Sequence, residues 1–224
     1  MSANGEISLD GRPTIIVEHL DPELEDWQAL EYKCISEECT NSAPQWHFLL
    51  SGLPSASDVG KQLSLPATSL TEQSVETLYQ GDRRSKVCLL DPKAEKDLSP
   101  EDGESFDVFL FGGILGDDPP RDRTGELRKM GFAGRRLGTE QMTTDTAARV
   151  TRIVVADRQH LNDISYVDRP DIALPASSGE GEASSESVSM PFRYVKGKDG
   201  KAVMPKGMLD LLASDADKDI MDLL

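Results

Sequence analysis

The sequence predicts an α/β fold with a mostly parallel sheet, and three observations carry that prediction. Short apolar, β-branched or aromatic runs recur along the chain, separated by segments whose apolar residues fall at helical spacing. One of these runs opens directly onto glycine, as Phe111-Gly112-Gly113, and another runs into Asp91-Pro92 after Leu89-Leu90. The length, 224 residues, suits one sizeable core with appendages rather than several domains.

Residues 1–12 are polar and are expected to be a flexible terminus, followed by the α/β domain over 13–172. Thr14–Val17 reads as the first strand, ending at Glu18. Asp21 then serves as N-cap with Pro22 in the first helical turn. In that helix Leu24, Trp27, Leu30 and Cys34 form the buried stripe. Its acidic face (Glu23, Glu25, Asp26, Glu31) is either simply solvated or a dock for a basic substrate.

Trp46–Leu50 is a second strand closed by Gly52 and Pro54, and residues 55–68 lack a period and read as loop. Ser69 with Glu72 resembles a capping box for a helix ending near Gly81. Lys86–Leu90 is the third strand, Ser99-Pro100 starts a helical turn, and Val108–Phe111 is the central strand. Thr124–Met130 is a short helix stopped by Gly131. A longer one, capped by Thr143 or Thr144, runs to about His160, and Ile164–Val167 is a final strand.

Residues 173–189, centred on PASSGEGEASSESVS, hold too little apolar surface to order and are expected to be a disordered acidic insertion. Order resumes over 190–224. The turn Lys198-Asp199-Gly200-Lys201 predicts a hairpin over 192–204, and the tail from Met208 alternates Leu or Met with Asp as an acidic amphipathic helix. That helix either packs on the body or binds a partner.

Lys and Arg total 24 against 40 Asp and Glu, a formal charge of −16. Such a field repels nucleic-acid phosphates and attracts basic proteins, so no direct nucleic-acid partner is expected. Cys34, Cys39 and Cys88 form no metal-ligand spacing, and an odd count suits a reduced intracellular chain. No apolar run approaches a membrane span, and the start lacks the features of a signal peptide. The expectation is a cytoplasmic chain with no membrane partner, the nucleus remaining open.

The stretch with the most chemistry runs from Phe106 to Asp157. Glycine directly after a strand lets a ligand approach main chain, and open α/β sheets bind ligands at the carboxyl ends of strands. Three strand-exit loops (Leu89–Pro92, Gly112–Asp118 and Leu137–Thr146) offer small residues, amides, hydroxyls and aliphatic side chains, which suits a flat heteroaromatic ring. Neither a dinucleotide-binding nor a P-loop glycine fingerprint is present. His19, His47 and His160 are dispersed and suggest no metal site.

At these loops the sequence resembles a known family. LLDP, FDVFLFGGILGDDPPRDRT, RRLGTEQMTTDTA and MPFRYV, with IIVEHLDPELEDWQALEY near the start and MPKGMLDLL near the end, are similar to the eukaryotic SPOUT-class protein arginine methyltransferases. The resemblance covers nearly the whole chain apart from its first dozen residues and 175–189. It implies an α/β domain with a C-terminal trefoil knot holding S-adenosyl-L-methionine, and a basic small-subunit ribosomal protein as substrate. It further implies a monomer, unlike the dimeric RNA-modifying SPOUT enzymes. By position the cofactor-binding residues are Leu90, Asp91 and Pro92, then Gly112, Gly113 and Gly116, then Leu137, Gly138, Met142, Thr143, Thr144 and Thr146. Arg121 and Arg123 either hold the cofactor or pair with nearby acids.

The acceptor chemistry defines the catalytic candidates. A guanidinium stays protonated below a pKa of ~12 and must approach a cationic sulfonium. Carboxylates beside the methyl group offset that repulsion, orient the N–H fork and accept the released proton. Asp117, Asp118 and Glu18 are the candidates. Two alternatives stay open: a SPOUT enzyme acting on RNA, and a silent ribosome-assembly factor that keeps the knot.

Overall fold

A computed structural model describes residues 11–21, 23–112, 124–174 and 187–221, with side chains to Asp215. Its centre is a five-stranded sheet in the order β2-β1-β4-β3-β5, formed by β1 (Thr14–Glu18), β2 (His47–Ser51), β3 (Val87–Leu90), β4 (Val108–Gly112) and β5 (Ala133–Arg135). All four pairings are parallel. The predicted α/β class and parallel sheet are the observed ones.

The middles of β1 and β2 and the whole of β3 and β4 are apolar because both faces of the sheet are covered there, and the pleat divides them by parity. Ile15, Val17, Cys88, Leu90, Phe109 and Phe111 face α1 (Asp26–Asn41), α2 (Ala56–Leu63) and α6 (Thr144–Ala156). Ile16, Leu49, Leu89 and Leu110 face α3 (Val75–Leu78) and α5 (Gly125–Lys129). A short α4 (Asp102–Ser105) precedes β4. Beyond α6, β6 (Tyr166–Asp168) pairs antiparallel with β9 (Arg193–Val195), and β7 (Asp171–Ala173) with β8 (Ser187–Ser189). The chain closes with α7 (Met208–Met221) against α1.

Several expectations need correcting. Helix α1 starts at Asp26, not at Asp21, because Gln28 accepts the Glu25 N–H through its side chain while its amide donates to Asp21 at 2.8 Å. Its buried face is Gln28, Ala29, Glu31, Tyr32, Ile35, Ser36 and Cys39. The predicted stripe of Leu24, Trp27, Leu30 and Cys34 is half-buried beside it, and Glu31, placed on the acidic outer face by sequence, is inside. Residues 56–63, read as loop, form α2, with Ser55 as its N-cap accepting the Asp58 N–H. The capping serine of α3 is Ser74 rather than Ser69.

Strand β5 went unseen because Ala133-Gly134-Arg135 carries no apolar run; main-chain bonds from Asp91 and Leu98 to Arg135 and Arg136 hold it. Residues 187–189, expected to be disordered, pair as β8; residues 175–186, Pro22 and the first ten residues lie outside the described residues. The predicted hairpin is reduced to one bridge, Lys196 to Ala202, since β9 takes β6 as its partner.

Candidate active site

The parallel sheet delivers the carboxyl ends of β3 and β4 to one edge, and the segment between β5 and α6 crosses beside them. Between these exits lies a cavity of ≈ 380 Å³, within the range of small-molecule sites. Leu90, Asp91, Pro92 and Lys93 form one wall, Phe111, Gly112 and Thr124 another, and Leu137 to Met142 with Thr144 and Ala147 the third. Of the three strand-exit segments singled out in the sequence, Leu90–Pro92, Gly112 and Leu137–Met142 with Thr144 are therefore brought together, and residues 113–118 lie outside the described residues.

Asp91 is 3 % exposed, and its carboxylate is committed to the wall itself. Arg128 of α5 grips it with two donors, Nε at 2.5 Å and Nη2 at 2.7 Å, and the Lys93 N–H adds a third bond at 2.9 Å. The fork makes this a directional, charge-assisted pair that ties α5 to the exit of β3. Met142 bridges to Arg193 of β9, so the C-terminal segment braces the third wall.

Glycine acts here in two ways. A Cβ on Gly112 would stand 3.0 Å from Leu127 Cδ1 and 3.3 Å from Thr124 Cγ2, so its smallness serves the packing of α5 against β4. Gly138 has open space around it but φ +89°, a left-handed backbone that side chains disfavour. The close approach expected for Gly112 is thus made by α5.

Helix α6 begins at the third wall. Thr143, its N-cap, spends its hydroxyl on Thr146 Oγ1 at 2.8 Å and makes no cap bond of its own. Thr143 and Thr146 are buried behind the wall, whereas Thr144 lines the cavity. The Thr144 N–H instead donates to Glu31 Oε1 of α1 at 3.0 Å.

The catalytic candidates separate. Glu18 does not line the cavity; it accepts the Val75 N–H at 3.0 Å and the Ser51 hydroxyl, closing the end of β1 onto α3. Burial pushes its carboxyl up, with those two bonds pulling the other way. Asp117, Asp118, Gly113 and Gly116, with Arg121 and Arg123, lie outside the described residues. They sit in the segment joining Gly112 to Thr124, both of which line the cavity. Sequence reasoning missed Lys93, Phe111, Thr124 and Ala147 as lining residues, although Lys93, Phe111 and Ala147 adjoin a predicted loop, and within Leu137–Thr146 it passed over Thr139, Glu140 and Gln141. Among the described residues no cluster of His, Cys, Asp and Glu could hold a metal, and no helix is long and apolar enough to cross a membrane.

A family model described as protein arginine N-methyltransferase SFM1-like matches residues 14–219. The chain belongs to the SFM1-like protein arginine N-methyltransferase family. This SFM1-like chain is 38% identical over 221 residues to protein arginine N-methyltransferase SFM1 of Saccharomyces cerevisiae, covering 93% of this chain and 98% of that one. The crystal structure of the yeast enzyme complexed with SAM is similar at TM-score 0.75 and 39% identity, covering 91% of each chain. The same enzyme complexed with SAH gives 0.72 and 38%, over 91% of this chain and 95% of that one. Dual-specific Trm10 from Thermococcus kodakaraensis, 16% identical over 67% of this chain and 95% of that one, gives 0.51 and shares the fold alone. SFM1 and Trm10 are both SPOUT methyltransferases, so the expected α/β, mostly parallel SPOUT class is the one found.

Proposed function

We propose that this SFM1-like chain transfers the methyl group of S-adenosyl-L-methionine to an arginine side chain of a basic small-subunit ribosomal protein. The observation that supports it most is the cavity at three strand exits, in a family whose yeast member is solved with SAM, with SAH and with MTA. Those three compounds share a thioadenosine part. The residues present fit it: Leu90, Leu137 and Met142 are apolar walls for a flat ring, while the main chain of Leu137 to Gln141 offers amides and carbonyls to its edge. Asp91, already held by Arg128 and Lys93, would shape the site rather than read the ligand.

When bound, the cofactor supplies an electrophilic methyl group on a sulfonium. The chain's own residues hold the acceptor in line and manage its charge. Asp117 and Asp118 belong to the segment between Gly112 and Thr124, both of which line the cavity, and carboxylates from that segment would offset the meeting of two cations and take the released proton. Glu18 is the lesser candidate, since Ser51 and Val75 occupy its carboxylate. The net charge of −16 favours a basic protein over RNA as partner. The reading includes the trefoil knot and a cytoplasmic monomer.

Incubation of the full chain with methyl-labelled cofactor and either free small-subunit ribosomal proteins or bare ribosomal RNA tests this. Label is expected in one basic protein and, by mass spectrometry, on arginine. Label in RNA would overturn the acceptor assignment, and absence of cofactor binding would overturn the whole reading. Asp117→Ala and Asp118→Ala are expected to bind cofactor and lose turnover.

A further inference from the structure

Behind the cavity lies a cluster of ionisable groups that the reaction itself does not use. Glu31 of α1 is 0 % exposed and Asp145 of α6 is 2 % exposed. Around them stand Cys34 and Glu38 of α1, Arg149 and Arg152 of α6, Tyr194 of β9, and Trp27. Arg149 donates to Asp145 Oδ2 at 3.3 Å and to Glu38 at 2.5 Å, and Arg152 donates to Glu38 at 2.5 Å. Two guanidinium groups are thus matched by two carboxylates. Glu31 is the third acid, and among the described residues no basic side chain forms an ion pair with it.

A buried carboxylate without a counter-ion is far costlier than a buried neutral acid. Burial and the nearby charge of Asp145 both push Glu31 well above the ordinary carboxyl range. Its position also answers a local need. The first amides of a helix require acceptors from outside the helix. The Thr143 side chain supplies none to α6, and Glu31 reaches across from α1 to take the Thr144 N–H at 3.0 Å. Thr144 is itself part of the cavity wall.

We propose that Glu31 is a positioning residue for the cofactor cavity, holding the wall at Thr144 from behind through the Thr144 N–H as an uncharged carboxylic acid. It touches no reacting atom. The proposal rests on the reading that this cavity takes S-adenosyl-L-methionine, and it assigns a specific state and task to a residue outside the cavity.

The test compares the full-length wild type, Glu31→Gln and Glu31→Ala by calorimetric titration with S-adenosyl-L-methionine and by amide hydrogen exchange at Thr144. The glutamine carbonyl accepts the same N–H and carries no charge. Glu31→Gln is therefore expected to stay within about twofold of wild-type Kd, while Glu31→Ala weakens binding about tenfold or more. With saturating acceptor, the alanine variant raises cofactor KM more than it lowers kcat. Thr144 exchange stays slow in wild type and Glu31→Gln and becomes fast in Glu31→Ala. A folded Glu31→Gln that binds as poorly as the alanine variant would overturn the proposal in favour of an ionised carboxylate. A Glu31→Ala that melts earlier but binds at wild-type affinity would reduce Glu31 to ordinary core structure. Should the alanine variant not fold, the glutamine variant decides alone. If wild type itself gives no heat with the cofactor, the cofactor reading fails and the exchange of Thr144 still decides the role of Glu31.

Discussion

Asp91→Asn separates two roles for the residue that closes β3. In the wild type Oδ1 accepts from the Lys93 N–H at 2.9 Å and Arg128 Nη2 at 2.7 Å, and Oδ2 accepts Arg128 Nε. An asparagine carbonyl at the Oδ1 position keeps the Lys93 bond, but its NH₂ then faces the Arg128 Nε–H, donor against donor. Breaking a fully buried ion pair costs about 3–5 kcal/mol, and an exposed one is worth about 0–1. The Asp91 side chain is 3% exposed and that of Arg128 36%, so the guanidinium can turn part-way to water and the cost falls between, about 2 kcal/mol. For a domain of this size that lowers Tm by about 4–8 °C. Urea unfolding and calorimetric titration with S-adenosyl-L-methionine of the same samples give the two readouts. The expected result is a clear loss of stability with Kd changed by less than about threefold. Stability within about 0.5 kcal/mol of wild type together with a tenfold weaker Kd would refute the reasoning, because the carboxylate would then be reading the ligand.

Three further outcomes follow from other parts of the structure. Because Glu31 is raised above 4.5 in the folded state, its contribution is fully present below that pH and is lost as pH rises through the folded value. Wild-type stability should therefore fall with pH above 4.5 relative to Glu31→Gln, by at most about 1.4 kcal/mol per unit; parallel urea-derived curves would contradict the neutral acid. Burial pushes the thiols of Cys34, Cys39 and Cys88 up to about 12, so only about one part in ten thousand is thiolate at pH 8. Native protein should resist iodoacetamide until urea is added, and rapid stoichiometric labelling of folded chain would contradict this. Gly112→Ala should cost about 1–3 kcal/mol through overpacking against Leu127. Leu127→Val should suppress that cost but not the backbone strain of Gly138→Ala, and strict additivity in the double-mutant cycle would remove the explanation.

Local chemistry accounts for what was legible in the sequence. Val87–Leu90 and Val108–Gly112 announce themselves because strands buried on both faces read as unbroken apolar runs. The cavity walls at Leu90–Pro92, Gly112 and Leu137–Met142 follow from them, since a parallel sheet sends successive strand exits to the same edge. Helix α2 was lost because its eight residues bury only Val59 and Leu63, a single pair four apart and too short a stretch to establish a period. The β5 edge strand was invisible for a related reason: Gly134 and Arg135 form it through main-chain bonds to the 91–98 loop, to which side-chain pattern is blind.

The sequence by itself determined the parallel α/β sheet and which loops border the cavity, because these rest on apolar runs and turn residues that act over a few neighbours; the family was legible from the resemblance of its longer motifs. Tertiary structure alone decided what individual polar groups do there. Glu31 and Glu25 look alike along α1, yet one is inside beneath Thr144 and the other exposed to water. Asp91 reads as a ligand contact until Arg128 arrives from α5 to claim it. A carboxylate's role depends on which donors surround it and how much water it keeps, and both are settled by segments far away in the chain.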